Sequence, residues 1–211
     1  MRRVVVSPIC PLLALSLLVL IDSPTEAQIA KPQSVKPPSA AKVIDRYKKA
    51  SGGGALKRIK STSVSGTLKS ASGEGSFLYH TASPDRLRID VTADGVTSSE
   101  AYNGKSAWRM DERGLRTLLG DEARRLRLES LLANTRLNDL SSSRIYAGVP
   151  VKSSVDGRDA WAVEFVKDEV RARLFFDAAS GLIIKQERDT SEGLEELFYG
   201  DHRPVDKVME P

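Results

Sequence analysis

The chain has 211 residues, of which 28% are charged and 6% aromatic, and its net charge is +4. Charges of both signs are mixed along the sequence and no basic stripe alternates with aromatic residues, which argues against a nucleic-acid-binding protein. Two histidines and one cysteine are too few for the usual catalytic or metal-binding sets, so we expect no enzyme activity, no metal site and no cofactor.

The N-terminus has the pattern of an export signal. Arg2 and Arg3 precede an almost uncharged run over residues 4–21, and small residues follow as far as Ala27. This order predicts a signal peptide over residues 1–27, cleaved after Ala27, and therefore a periplasmic or secreted protein.

Two other fates of this segment are less consistent with its residues. The apolar run is near the length of about 18 residues that a membrane anchor needs, but Pro8 and Pro11 interrupt its first half. Cys10 precedes the most apolar stretch, which is the wrong place for the lipid-modified cysteine of a bacterial lipoprotein. Cleavage would also remove the one cysteine, so the mature protein would have no disulfide.

After the predicted cleavage site, the Pro-rich residues 28–39 predict an extended, flexible tether. Residues 40–211 then suffice for a single domain. Apolar residues at helical spacing predict a first helix over Ala40–Ala50, which ends at three glycines, and a short second one over Ala55–Lys60. One long helix is predicted from about Leu118 to Asn134.

The remaining apolar residues recur with a period of two, which predicts strands with one dry and one wet face. Turn residues such as Asp94-Gly95 and Asn103-Gly104 predict the hairpins of an antiparallel meander. The strand segments are about 64–68, 77–80, 86–91, 106–110, 145–154, 159–166, 170–176, 182–188 and 194–199.

The predicted strands outnumber the helices that could cover them. Roughly nine or ten strands have an apolar face, whereas two of the three helices are short. We therefore expect a mainly β fold with some α: a strongly curved antiparallel sheet, or incomplete β-barrel, with helices covering its concave face. Such a sheet tends to enclose an apolar cavity.

Strand phase also predicts which side chains would line that cavity. The lining set would consist of large apolar residues on the dry faces, with two leucines of the long helix acting as a lid. A packed core explains the aromatic members of the set equally well, and sequence alone does not separate the two. The lining residues are Phe77, Tyr79, Leu87, Ile89, Trp108, Met110, Trp161, Phe165, Leu174 and Phe176, and the lid residues are Leu126 and Leu131.

Other candidate groups have ordinary structural explanations. His80 and His202 read as surface or strand residues, and the three glycines at 52–54 as a helix cap rather than a phosphate cradle. The charged residues of the long helix form its wet face in one interpretation; in the other, its arginines form a lid that contacts lipid head groups. These charged residues are Glu122, Arg124, Arg125 and Arg127.

Several stretches resemble the LolA/LolB-like periplasmic carriers, the family of outer-membrane lipoprotein-sorting proteins. The resemblance spans roughly residues 40–211. The residues that carry it lie in the first helix and its glycine stop, in two turns and near the C-terminus: 41–47 with 52–56, Tyr102-Asn103-Gly104-Lys105-Ser106-Ala107-Trp108, Phe176-Asp177 to Ser180-Gly181-Leu182, and Tyr199-Gly200-Asp201-His202-Arg203-Pro204-Val205-Asp206.

This resemblance implies an incomplete barrel with an apolar concave side, and the transport of lipids or lipid-modified proteins without catalysis. The implied partners are acyl chains and envelope membrane proteins, and we expect a monomer. The alternative function is that of an envelope-stress sensor or assembly factor, in which the same fold binds proteins. Members of the family continue beyond the stretch that ends at Pro211, so the resemblance implies either a truncated C-terminus or an unpaired strand edge.

Overall fold

A computed structural model describes residues 36–70, 73–190 and 193–211. The predicted signal peptide and most of the predicted tether lie outside these residues.

Helix α1 (Ala40–Ala50) begins at Ser39, whose side chain accepts a hydrogen bond from the backbone N–H of Lys42. Its buried residues Val43 and Ile44 fix which side faces the core, and a short 3-10 helix (Gly53–Arg58) follows.

The first sheet is an antiparallel meander of six strands, in which each strand pairs with the next along the chain. This order follows from the tight turns between consecutive strands, two of which contain the predicted Asp94-Gly95 and Asn103-Gly104 pairs. The strands are β1 (Ser61–Ser70), β2 (Gly73–Ala82), β3 (Arg86–Ala93), β4 (Val96–Asn103), β5 (Ala107–Asp111) and β6 (Gly114–Leu118).

Helix α2 (Gly120–Thr135) follows β6 directly, and the second sheet follows α2. Both ends of α2 are bounded by left-handed residues, with φ +58° at Gly120 and +45° at Arg136. The second sheet has the order β12-β11-β10-β9-β7, and β8 also pairs with β9. Its strands are β7 (Tyr146–Ala147), β8 (Val151–Val155), β9 (Arg158–Lys167), β10 (Val170–Asp177), β11 (Ile183–Thr190) and β12 (Gly193–Phe198).

A small hairpin, β13 (Arg203–Val205) and β14 (Val208–Glu210), ends the chain and packs on the glycine stop after α1. The backbone N–H of Met209 donates to the carbonyl of Ser51, and Val208 is 1% exposed. At its far end, the carboxylate of Glu210 lies 2.7 Å from the guanidinium of Arg136, so the hairpin also contacts the end of α2.

The predicted fold class is confirmed: the chain is mainly β, with antiparallel sheets that are not closed and with helices against them. The first and the long helix lie within two residues of their predicted bounds. The predicted strand 145–154 is interrupted, because the edge strand bulges at Gly148–Pro150 between β7 and β8. Strands β4 and β6 and the C-terminal hairpin are absent from the predicted segments: β4 is indicated only by the turns on either side of it, and the strands of the others are at most five residues long.

The glycine stop after α1 supports a specific prediction. Gly52 has φ +123°, and a Cβ at this position would lie 2.5 Å from the backbone oxygen of Lys207. The Gly52→Ala variant should therefore lose more than about 1 kcal/mol of unfolding free energy, because both the backbone strain and the clash oppose it. Chemical denaturation measures this loss.

Gly54→Ala is the matched control, because nothing lies within 4 Å of a Cβ at Gly54 and its φ is not positive. It should leave stability within about 0.5 kcal/mol of the parent value. Equal losses in the two variants would contradict the close approach of the C-terminal hairpin.

Candidate binding site between the two sheets

Helix α2 packs against both sheets, and we call the sheet surfaces that meet it the inner faces. It contacts β2 to β5 of the first sheet and β9 and β10 of the second. Within the described residues, no strand of the first sheet pairs with a strand of the second, so α2 is the element that lies between them.

Leucines of α2 pack against both sheets. Leu126 is fully buried against the first sheet, in a cluster with Leu87, Tyr102, Ala107 and Leu118. Leu128 and Leu132 belong to a larger cluster on the second sheet, which α1 also covers. In that cluster the ring of Tyr47 from α1 meets Phe176 edge-on, with the ring centroids 5.7 Å apart.

The structure divides the predicted lining residues into three groups. Four lie on the inner face of the first sheet, where Leu87 is 2% exposed: Phe77, Tyr79, Leu87 and Ile89. Four lie on the inner face of the second sheet, where Phe165 and Phe176 are at most 1% exposed: Trp161, Phe165, Leu174 and Phe176. The predicted lid residues Leu126 and Leu131 pack against the first and the second sheet respectively.

Trp108 and Met110 form the third group and require a correction. Strand β5 turns Ala107 and Arg109 towards α2, so Trp108 and Met110 point to the outer face of the first sheet. Met110 is 54% exposed, and the guanidinium of Arg88 lies over the Trp108 ring at 5.7 Å from its centroid. The prediction placed the large apolar side chains of β5 in the interior. The inner face of this strand instead carries Arg109, which is ion-paired with Glu100.

A chain of ion pairs crosses the interface from one sheet to the other through α2. On the first sheet, Arg109 of β5 pairs with Glu100 of β4. Glu100 also lies 2.9 Å from Arg125 of α2, and Arg125 lies 3.6 Å from Glu129, one helical turn further on. We call the series Arg109, Glu100, Arg125, Glu129, Arg188 and Glu195 the ionic chain.

Its second half reaches the other sheet. The guanidinium of Arg188 on β11 donates to the carboxylate of Glu129 and, at 2.6 Å, to Glu195 on β12. Arg125, Glu129 and Arg188 are buried, at 8%, 6% and 9% exposed. The prediction that Arg125 belongs to the wet face of the long helix is therefore wrong, whereas Arg124 and Arg127 do have side chains that are 40% and 48% exposed.

The burial of these charges shifts nearby pKa values. Burial alone would raise the pKa of Glu100, but the charge of Arg125 and hydrogen bonds from Arg125 and Arg109 outweigh it, so this pKa lies below its ordinary value. Burial raises the pKa of Tyr79 and Tyr199, and the negative charge of Glu129 adds to the effect in both. Glu100 thus stays ionised, and the phenols of Tyr79 and Tyr199 stay neutral, near pH 7.

One carboxylate beside the ionic chain gives a testable pKa. Two hydrogen bonds of 2.7 Å from Arg116 hold the pKa of Asp111 at about 2, below its ordinary value of 3.8. Because the folded state lowers this pKa, the pair stabilises the fold above about pH 4 and loses that effect as the pH falls towards 2.

In an NMR titration, Arg116→Gln should return the Asp111 pKa towards 3.8. Arg113→Gln should leave it low, because Arg113 acts on Asp111 mainly through its backbone N–H, which donates at 3.0 Å. An unchanged Asp111 pKa in Arg116→Gln would show that the pair does not form in solution.

Two surface cavities lie elsewhere in the molecule. One, of about 310 Å³, lies between α1 and the segment that follows α2, with Ile44 and Leu137 among its lining residues. The other, of about 500 Å³, lies on the outer face of the second sheet near Phe175 and Lys185. Neither is lined by any of the predicted lipid-lining side chains. Seven of these side chains instead belong to the two core clusters: Tyr79, Leu87, Ile89, Trp161, Phe165, Leu174 and Phe176.

The described part of the chain gathers no set of three or more His, Cys, Asp or Glu side chains that could hold a metal ion. His80 lies on β2 of the first sheet, whereas His202 lies outside the sheets, just before β13. Within the same residues, neither helix is long and apolar enough to span a membrane. The interface between the sheets, where apolar surface lies beside buried, paired charge, is the candidate site.

Comparison with known proteins finds matches among solved structures alone. No protein-family model and no curated protein matches the sequence. Among solved structures, a LolA superfamily protein from Nitrosomonas europaea matches with 14% identity over 82% of this chain and 83% of its own, at a TM-score of 0.47.

Two further matches have lower TM-scores. MucB, solved in complex with MucA, shares 13% identity over 82% of this chain and 62% of its own, at a TM-score of 0.30. A chain of the complex between the CwlD amidase of Clostridioides difficile and the GerS lipoprotein shares 12% identity over 80% of this chain and 98% of its own, at 0.34. These matches, at 12–14% identity, transfer no function and no site residue to this chain.

Proposed function

We propose that this chain is an exported, non-catalytic carrier that shelters the acyl chain of a lipid or lipoprotein between the inner faces of its two sheets. In this proposal α2 fills the space when no ligand is bound and moves when one enters. The observation that carries the proposal is the position of α2, a single helix between two apolar sheet faces that are not hydrogen-bonded to each other in the described residues.

The inner faces offer what an acyl chain needs. An alkyl chain of about 15 carbons loses roughly 12 kcal/mol when it is exposed to water, so transport through an aqueous compartment requires an apolar shelter. Tyr79, Leu87 and Ile89 would supply one wall, and Phe165 and Leu174 the other. The predicted signal peptide supports a site of action in the periplasm or outside the cell.

Displacement of α2 is favoured by the way in which it is seated. Buried ion pairs contribute little net stability, because the charged groups regain their hydration when they separate. Arg125 and Glu129 would enter water when α2 moves out, and the ligand would replace the apolar contacts of Leu126 and Leu132. A helix held by leucines alone would have no such compensation.

The proposal is tested by the binding of a fluorescent long-chain fatty acid and by native mass spectrometry of the gently purified protein. Bound lipid is expected in the parent protein. Ile89→Gln places a polar amide on the inner face and should weaken fatty-acid binding by about tenfold, because burying an unpaired amide costs more than 1 kcal/mol.

Leu78→Gln is the matched control, since Leu78 lies on β2 with its side chain on the outer face and is 36% exposed. It should bind fatty acid as the parent does. A parent protein that is empty in every preparation and that takes up no fatty acid would refute the carrier function.

A second candidate function, protein binding by a sensor or assembly factor, is favoured by one edge of the first sheet. On β6 and just after it, Leu115 is 70% and Leu119 is 76% exposed, and Met110 lies opposite Leu115. Exposed apolar side chains on an edge strand are typical of surfaces that bind another chain. In this case the delipidated protein would still bind a partner protein. The Leu115→Asp variant would lose this binding, and the Ile89→Gln variant would keep it.

A further inference from the structure

The ionic chain has a branch point that suggests how the proposed site opens. Glu129 lies in the middle of α2, where its carboxylate is 3.6 Å from the guanidinium of Arg125 on the same helix and accepts a hydrogen bond from Arg188 on the second sheet. Arg125 in turn reaches Glu100 on the first sheet at 2.9 Å. Without Glu129, the part of the chain anchored on the first sheet no longer reaches the part anchored on the second.

We propose that Glu129 is the centre of an ionic latch that sets how readily α2 leaves the space between the sheets. This inference rests on the proposed function, because it assigns a regulatory role to the same site. The latch consists of the three buried members of the ionic chain, Arg125, Glu129 and Arg188, together with the partly buried Glu100, whose side chain is 17% exposed.

The energetic role of the latch follows from its burial. The side chains of Arg125, Glu129 and Arg188 are 8–10% exposed, so salt in the medium screens their interaction weakly. Their charges must be paired while α2 is seated and become hydrated when it leaves. The position of α2 between the sheets is therefore stable only while every charge of the latch is paired. Apolar side chains of similar volume would hold α2 in place without this requirement.

The ends of α2 allow it to move as a unit. Gly120, the first residue of α2, has φ +58°, and nothing lies within 4 Å of a Cβ there. At the other end, Arg136 and Leu137 both have positive φ. Changes of φ and ψ at a few residues that end an element are the usual way in which a helix swings without unfolding.

This arrangement predicts opposite effects from two sets of substitutions at the same place. Glu129→Leu leaves Arg125 and Arg188 buried without their shared partner, so α2 should be displaced more easily. The triple variant Arg125→Met, Glu129→Leu and Arg188→Met removes the buried charges together, so α2 should be held more tightly. Glu100 keeps Arg109 in the triple variant, and the side chain of Glu195 is 41% exposed and reaches water.

Hydrogen exchange of peptides covering residues 120–135 tests the latch directly. It is measured by mass spectrometry on the protein purified after expression of the full chain. Exchange should be at least about tenfold faster in Glu129→Leu and slower than in the parent in the triple variant. The association rate of a fluorescent fatty acid should follow the same order. The exposed pair Arg124–Asp121 provides the control, because Arg124→Met should change neither rate.

Exchange that moves in the same direction in the single and triple variants, or that changes in neither, would overturn the latch. Should Glu129→Leu fail to fold, the triple variant still decides, because slower exchange supports the latch and parent-like or faster exchange refutes it. A parent protein that takes up no fatty acid refutes the carrier function, and the exchange rates would still report on the seating of α2.

Discussion

Replacing Phe165 with alanine is expected to lower the free energy of unfolding by about 3–5 kcal/mol, the usual cost of removing a buried aromatic ring. Phe165 lies on β9 and is 0% exposed, in the cluster that joins α1, α2 and the second sheet. The cavity left by its ring would separate Leu128 and Leu132 of α2 from the sheet. Urea denaturation followed by circular dichroism measures the loss.

Phe198→Ala is the control for this prediction. Phe198 lies on the outer face of β12, is 56% exposed, and has the ammonium of Lys185 at 5.3 Å from its ring centroid. Its removal should cost about 1 kcal/mol or less, since an exposed cation–π contact contributes no more than that. Comparable losses from the two rings would mean that Phe165 is not packed in a solid core.

Removing the shared carboxylate of the latch is expected to have a similarly large effect on stability. Glu129→Leu leaves two buried guanidinium groups without it, and breaking a buried ion pair from one side typically costs about 3–5 kcal/mol. The triple variant with Arg125→Met and Arg188→Met should recover most of that loss, because no unpaired charge then remains buried around α2. Thermal and urea unfolding of the same two proteins give both values.

The comparison between the single and triple variants is more informative than either alone. A triple variant that is less stable than Glu129→Leu would mean that the buried charges themselves stabilise the fold. The position of α2 would then not depend on complete pairing of the latch. Arg124→Met removes the exposed pair on the same helix and should change stability by about 1 kcal/mol or less, which sets the scale for a surface ion pair.

Local sequence signals were sufficient to predict most of the fold. The alternation in β2 and β3 follows from one face on a core cluster and the other towards solvent. In β9 and β10 the larger apolar residues still mark the inner face, although Ala160, Ala162 and Phe175 form a smaller buried cluster on the outer one. Glycine-containing turns then determined the hairpins, and hence the antiparallel order. The bulge at Gly148–Pro150 escaped prediction because it depends on pairing with β9 and not on local periodicity.

The phase of β5 shows where residue type is a poor guide. Trp108 and Met110 are the large apolar residues of this strand, and yet Arg109 points inwards and pairs with Glu100. An inward arginine is stable here because a carboxylate on the neighbouring strand meets it, and that partner is nine positions away in sequence. A rule based on hydrophobicity alone assigns such a strand the wrong face.

The candidate site was predicted in part. Eight of the ten predicted lining residues lie on the two inner faces, but they are packed around α2 rather than around an open cavity. The ionic chain was not predicted, because its members are brought together from β4, β5, α2, β11 and β12. Glu129 and Arg188 are separated by 59 residues, so no sequence pattern marks them as partners.

The distance between α2 and the first sheet, measured with and without an acyl ligand, tests the central claim most directly. Spin labels can be placed at Arg127→Cys on the exposed side of α2 and at Thr97→Cys on the outer face of β4, since the natural cysteine, Cys10, precedes the predicted cleavage site. A diacylated lipopeptide should produce a second, longer distance population. A single unchanged distance with the lipopeptide bound would show that α2 stays seated and that the ligand does not enter between the sheets.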